Sequence, residues 1–242
     1  MRETRSQSAE IHQHSGWLIP LGIVLVILAL SGMFLLYYLR PLPASFRDVG
    51  PTAASTSVAF RVRGVPFRVP ANYLESRATA GGDMDLVALF ALLPDNPGEG
   101  MQGYSAADAA LFSGNTADSS LLHMLIRADT NGLGPANRLT RIYMPYILNP
   151  KGDAGPFGLT RYTFRADSGY GRDDLLVGAG TPILLLLCER PAQDLPSPNC
   201  LAIDRPIARN INLSYRFKRS QLARWQQIND DVGKLVAQFL PH

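Results

Sequence analysis

Residues 181–200, TPILLLLCERPAQDLPSPNC, hold both cysteines of the chain, Cys188 and Cys200, with eleven residues between them. An apolar run suited to a buried strand leads into Cys188, and a proline-rich loop separates it from Cys200. Two cysteines alone do not close a zinc site, and the nearest histidine in sequence is the terminal His242. A redox-active pair has two residues between its sulfurs. A nucleophilic thiolate needs a base and electropositive surroundings, and the four leucines before Cys188 supply neither. A disulfide across a strand–loop–strand hairpin fits the pattern, and closing such a loop contributes about 3 kcal/mol on chain-entropy grounds. The alternative is a pair of buried free thiols. A disulfide places its domain outside the cytoplasm, in an oxidising compartment.

Upstream, Trp17 to Leu39 (WLIPLGIVLVILALSGMFLLYYL) contains no charged residue. As a helix it reaches roughly 34 Å, more than the ~30 Å of a hydrocarbon core. Apolarity on every face is needless in a soluble helix. Trp17 at one end and Tyr37 and Tyr38 at the other suit the headgroup belts, with Arg40 as the stop. A cleaved signal peptide is the competing reading, but its apolar region is typically ~7–15 residues, and no good small-residue cleavage site follows here. Arg2 and Arg5 before the span balance Arg40 and Arg47 after it, so flanking charge leaves the orientation undecided. The cysteines decide it: residues 1–16 form a short cytoplasmic tail and the C-terminal domain lies periplasmic or otherwise extracytoplasmic.

Residues 40–57, rich in Pro, Ala, Ser and Thr, read as a stalk. The head, 58–242, opens with VAFRVRGVPFRVP, in which Val58, Phe60 and Val62 alternate with Ala59, Arg61 and Arg63 and the pattern resumes at Phe67 and Val69. DMDLVALFALLP reads as a central buried strand. SLLHMLIRAD reads as a strand with Leu122, Met124 and Ile126 on one side and His123 and Arg127 on the other. SAADAALF, with Ser105 and Asp108 at capping-box spacing, reads as a short helix. PANRLTRIYMPYIL has helical spacing interrupted by Pro145. GLTRYTFRAD, DLLVG and PILLLLCE give three further strands. RNINLSYRFK alternates Ile211, Leu213, Tyr215 and Phe217 inward with Asn212, Ser214 and Arg216 outward. Finally Leu222, Trp225, Ile228, Val232, Leu235, Val236 and Phe239 form a helical stripe beginning at Ser220 as N-cap. These elements predict an α+β head: a largely antiparallel sheet packed by a C-terminal amphipathic helix.

Catalytic signatures are absent. His123 has no nucleophile or orienting acid nearby in sequence; an enzyme reading pairs it with Asp85 or Asp174. Ser113 lacks a nucleophile elbow. His12 and His14 sit in a polar tail. Asp167, Asp173 and Asp174 cluster among glycines, as a calcium loop or as ordinary turns. No nucleotide-binding glycine motif occurs, and no cofactor is expected. The formal net charge of +3 is carried by twenty arginines and three lysines. Arg61, Arg63 and Arg68 form a candidate interaction face on the first hairpin, for lipid headgroups or an acidic partner. Nucleic acid is not expected, for want of an aromatic–basic motif. Asn212-Leu213-Ser214 is a glycosylation sequon inside a strand pattern. The sequence therefore points to a lipid bilayer as one partner and a membrane or envelope protein as another. The head is expected to act as a non-enzymatic accessory subunit. Hydrolase, ligand-binding and toxin-inhibitor functions are the alternatives.

Overall fold

The computed structural model describes residues 16–38, 50–77, 81–96 and 98–241. Arg40, His12, His14 and the greater part of the tail and stalk lie outside them. The chain divides into two units, one on either side of the Arg47–Asp48 junction.

The first unit carries helix α1, Leu18–Tyr38, 21 residues long and apolar enough to cross a membrane. Its run of Leu, Ile and Val leaves no polar face, and its large apolar side chains are exposed along its length. Pro20 lies in the first turn, where no intrahelical N–H bond is lost.

The second unit is α+β. Strands β1 (Ser57–Val62) and β2 (Val65–Pro70) form an antiparallel hairpin, joined in parallel by the short β3 (Asp83–Met84). The other eight strands form one antiparallel sheet: β4 (Leu86–Leu92), β5 (Leu121–Ala128), β6 (Asp153–Ala154), β7 (Thr160–Thr163), β8 (Asp173–Gly178), β9 (Leu184–Glu189), β10 (Asn199–Ala208) and β11 (Ile211–Lys218). Their spatial order is β4-β5-β11-β10-β9-β8-β7-β6. Short helices α2 (Ala109–Ser113) and α3 (Pro135–Arg138) lie between strands, and α4 (Trp225–Phe239) ends the fold.

The sheet buries one face in the main core. Leu89, Leu122, Met124, Ile126, Leu213, Tyr215, Phe217 and Leu186 point there, met by Phe60 and Phe67 of the hairpin and by the stripe of α4. Gly178 of β8 gives Trp225 its space, since a Cβ there would stand 2.8 Å from the indole ring. The disulfide joins directly opposed residues of β9 and β10, both fully buried. It is the strand–loop–strand bridge read from the spacing.

Several elements differ from expectation. Leu86–Leu92 is an edge strand, not a central one. It is nevertheless apolar on both sides, because the main core covers one face and Tyr104 and Phe112 pack against Phe90 on the other. Its outer edge is partly occupied by bridges from Leu74 to Leu89 and from Gln102 to Leu92. Ser220 is no N-cap: it lies in a 3-10 stretch, Arg219–Arg224, and donates its hydroxyl to Ala117 O at 2.7 Å, so α4 starts at Trp225. Residues after α3 widen into a π turn at Leu139–Tyr143 and tighten at Met144–Tyr146, where Pro145 removes an N–H. Asn212 and Ser214 do face away from the main core, yet both are buried, because that side of the sheet is also partly covered. At 4% exposure, Asn212 has no room for a glycan in the folded head.

Candidate functional site

The far face of the sheet, away from α4, is covered at two places. Leu139, Tyr143 and Ile147, with Phe164, pack on Leu175, Leu185 and Ile203. At the β4 edge Tyr104 and Phe112 pack on Phe90, Leu92 and Leu121. Between them is a hollow of about 400 Å³ whose lining includes Ala88, His123, Leu125, Leu201 and Arg216. A smaller hollow, lined by Lys218, Asn199 and Asn115, shares His123 and Arg216 with it.

Strand register sets the pattern. Phe90 pairs with His123, His123 with Arg216 and Arg216 with Leu201, so these four form one row across β4, β5, β11 and β10. Ala88, Leu125 and Ser214 form the next row. Same-face residues along a strand are two apart, roughly 7 Å. Arg216 therefore has an apolar neighbour, Leu201, in its own row and Leu125 and Ala88 in the row beside it.

His123 Nδ1 is 2.6 Å from Glu75 Oε1. The carboxylate only accepts, so Nδ1 carries the proton that is donated. Arg127 meets Asp204 Oδ1 at 2.5 Å, Arg138 pairs with the other oxygen, and Ser214 Oγ donates to Oδ1 at 3.0 Å. Asp204 is 1% exposed and sits at φ +47° in the bulged part of β10, which turns its carboxylate to the far face. Lys218, 6% exposed, donates to Asn115 Oδ1 at 2.5 Å. Burial, and then the Arg216 guanidinium, hold its ammonium below the usual lysine range, with Glu189 acting against them. Arg216 is exposed, and none of the described residues forms a hydrogen bond or ion pair with it.

Neither Asp85 nor Asp174 is the acid beside His123; Glu75 stands there instead. Asp85 pairs with Arg63 at 2.5 Å, and Asp174 is held by Arg190 and Arg219, each at 2.9 Å. Ser113 Oγ donates back to Ala109 and Ala110 carbonyls within α2. Asp167 pairs with Arg165, and no group of three or more potential metal-ligating side chains occurs among the described residues. Burial, with Glu189 nearby, pushes the Asp173 carboxyl up, Arg190 opposing.

The hairpin arginines separate. Arg61 and Arg68 project from the outer face of β1 and β2 and line a hollow of about 490 Å³ with Pro66 and Asp83. Arg63 is in the turn, at φ +47°, in its pair with Asp85. Both members of that pair are exposed, so it contributes little to stability.

Glu75, Asp204 and Arg216 were not singled out by sequence reasoning. Glu75 lies in a loop with no pattern, and Asp204 lies in a strand broken by a bulge. Arg216 alone left a signal, as a charge amid a cleanly alternating strand.

No family model matches the chain, and no curated protein does. Among solved structures it is similar to an immunity protein of the Stenotrophomonas maltophilia type IV secretion system, at TM-score 0.55 and 16% identity over 78% of this chain and 94% of that one. It is also similar, at TM-score 0.45 and 15% identity, to FrpD, an iron-regulated outer membrane lipoprotein of Neisseria meningitidis, over 80% and 96% of the two chains. At these identities, the first likeness shows a shared α+β fold.

Proposed function

We propose that this chain is a single-pass membrane protein whose extracytoplasmic head docks on another membrane or envelope protein and performs no chemistry of its own. The observation carrying this reading is the hollow on the far face, where Arg216 and Leu201 stand uncovered on central strands. The buried disulfide supports an oxidising compartment for the head, and α1 supports an anchor that confines it to the membrane surface. Glu75 holds His123 Nδ1 as an orienting acid would, but no hydroxyl or thiol among the described residues hydrogen-bonds to His123, and the Ser214 hydroxyl in the hollow's lining is committed to Asp204.

The test is photo-crosslinking in the native membrane from Leu125 and Leu201, with Gln226 on the opposite side as control, followed by mass spectrometry. One envelope protein recovered from both hollow positions and not from the control is the expected result. Lipid alone, or nothing, at both positions would overturn the reading.

A narrower version makes the partner a secreted toxin that the head neutralises. It draws on the α+β fold shared with the immunity protein. Deletion of this chain should then sensitise the cell to toxin-delivering neighbours. Unchanged survival in such a mixed culture removes the narrower version and leaves the docking reading intact.

A further inference from the structure

Arg216 lies on β11, the third strand of eight from one edge, with paired strands on both sides. Its side chain is exposed and lines both hollows. Its neighbours do not compensate its charge. His123 opposes it on β5, and Lys218 is the next residue along β11 on the same face. The acids in the vicinity are engaged: Glu75 with His123, Asp204 with Arg127 and Arg138, and Glu189 with the N–H and side chain of Asn199. The Arg216 guanidinium thus stands beside the Lys218 ammonium with no described acid paired to it, and a partner's carboxylate there gains a charge-assisted contact.

The surroundings also restrict which anion fits. Leu201, 37% exposed, is paired with Arg216 on one side, and Ala88 and Leu125 form the row beside it. An isolated anion satisfies Arg216 and leaves these apolar groups in water. A chain with a carboxylate at Arg216 and apolar side chains at Leu201 and in the row beside it satisfies both. We propose that the far-face hollow binds an extended acidic segment of a protein partner, with a carboxylate on Arg216 and apolar side chains on Leu201, Leu125 and Ala88. This rests on the docking function above and gives that function its partner chemistry.

The test uses the full chain in nanodiscs of zwitterionic phosphatidylcholine. The probe is a blocked, fluorescent twelve-residue peptide of Glu-Glu-Val-Val repeats, which as a strand presents Glu and Val alternately on each face, with Lys/Val and Glu/Ser counterparts, read by anisotropy. The Glu/Val peptide should bind and both counterparts should bind at least several-fold more weakly. Arg216→Glu should weaken Glu/Val binding about tenfold or more, while Arg216→Lys retains most of it. Leu201→Ser should weaken it several-fold, and Arg61→Glu on the hairpin should leave it unchanged.

Equal binding to the Arg216→Glu head, or none to the parent, overturns the proposal. So does displacement by inorganic phosphate, equal binding of the Glu/Ser peptide, or loss of binding when anionic lipid is added to the nanodisc. Those outcomes mark an isolated-anion or lipid site. The docking reading stands or falls separately: crosslinks from Leu125 and Leu201 that persist in Arg216→Glu keep it while removing the acidic segment.

Discussion

The two faces of the eight-stranded sheet are built from the same strands and finished differently. On the α4 face, Ile126, Leu213 and Val232 are fully buried beneath the helix and hairpin. On the other, two separate aromatic and aliphatic caps leave a strip between them where Leu201, Leu125 and Arg216 stay accessible. Continuous cover maximises buried apolar area and so stability. A strip left open on a central part of a sheet contributes less to stability and is available for recognition.

Mutations that separate the faces should show it, and the largest loss belongs to the closed one. Phe217→Ala, in the main core at 2% exposure, should cost about 3–5 kcal/mol, read from denaturant unfolding of the full chain in detergent. Replacing both cysteines by alanine should cost about 3 kcal/mol, or roughly 6–12 °C in melting temperature. That loss should appear equally in the parent chain under reductant strong enough to reach a buried bond.

Asp173→Asn should act in the opposite direction. The folded carboxyl titrates above its unfolded value of 3.8, so as pH rises the unfolded chain releases its proton first. Stability therefore falls as pH climbs through the window above 3.8, and the penalty is fully present at neutral pH. The amide should give a modest rise in melting temperature at pH 7 that disappears below about pH 3. A gain that persists in acid would mean that the charge is not its cause.

The smallest effect belongs to the open strip. Leu201→Ala should change stability by no more than about 0.5 kcal/mol. A loss as large as that at Phe217 would erase the distinction between the faces.

The legibility of these faces in the sequence follows their construction. Ile211, Leu213, Tyr215 and Phe217 could be read as one side of a strand because α4 and the hairpin bury that side evenly. The stripe of α4 was legible for the same reason, although its start was not. Ser220 has the chemistry of an N-cap, but its hydroxyl is drawn to Ala117, far away in sequence. Leu86–Leu92 reads as central because periodicity records burial on two faces, not the number of hydrogen-bonded neighbours. β10 shows no strand pattern beyond Cys200, since Asp204 and Pro206 fall where the register shifts. The hollow itself was invisible for a different reason. It is made by what fails to cover Arg216, and Glu75 reaches His123 across 48 positions of sequence.

The helix that covers the main core follows every strand of the sheet in sequence. Until Trp225 to Phe239 have emerged, the aliphatic side of the sheet has no lid, whatever the state of the strands before it. A nascent chain therefore completes every strand of the sheet while part of that surface is still uncovered. Removing the last two turns of α4 takes Leu235, Val236 and Phe239 from the main core and leaves that side of the sheet partly bare.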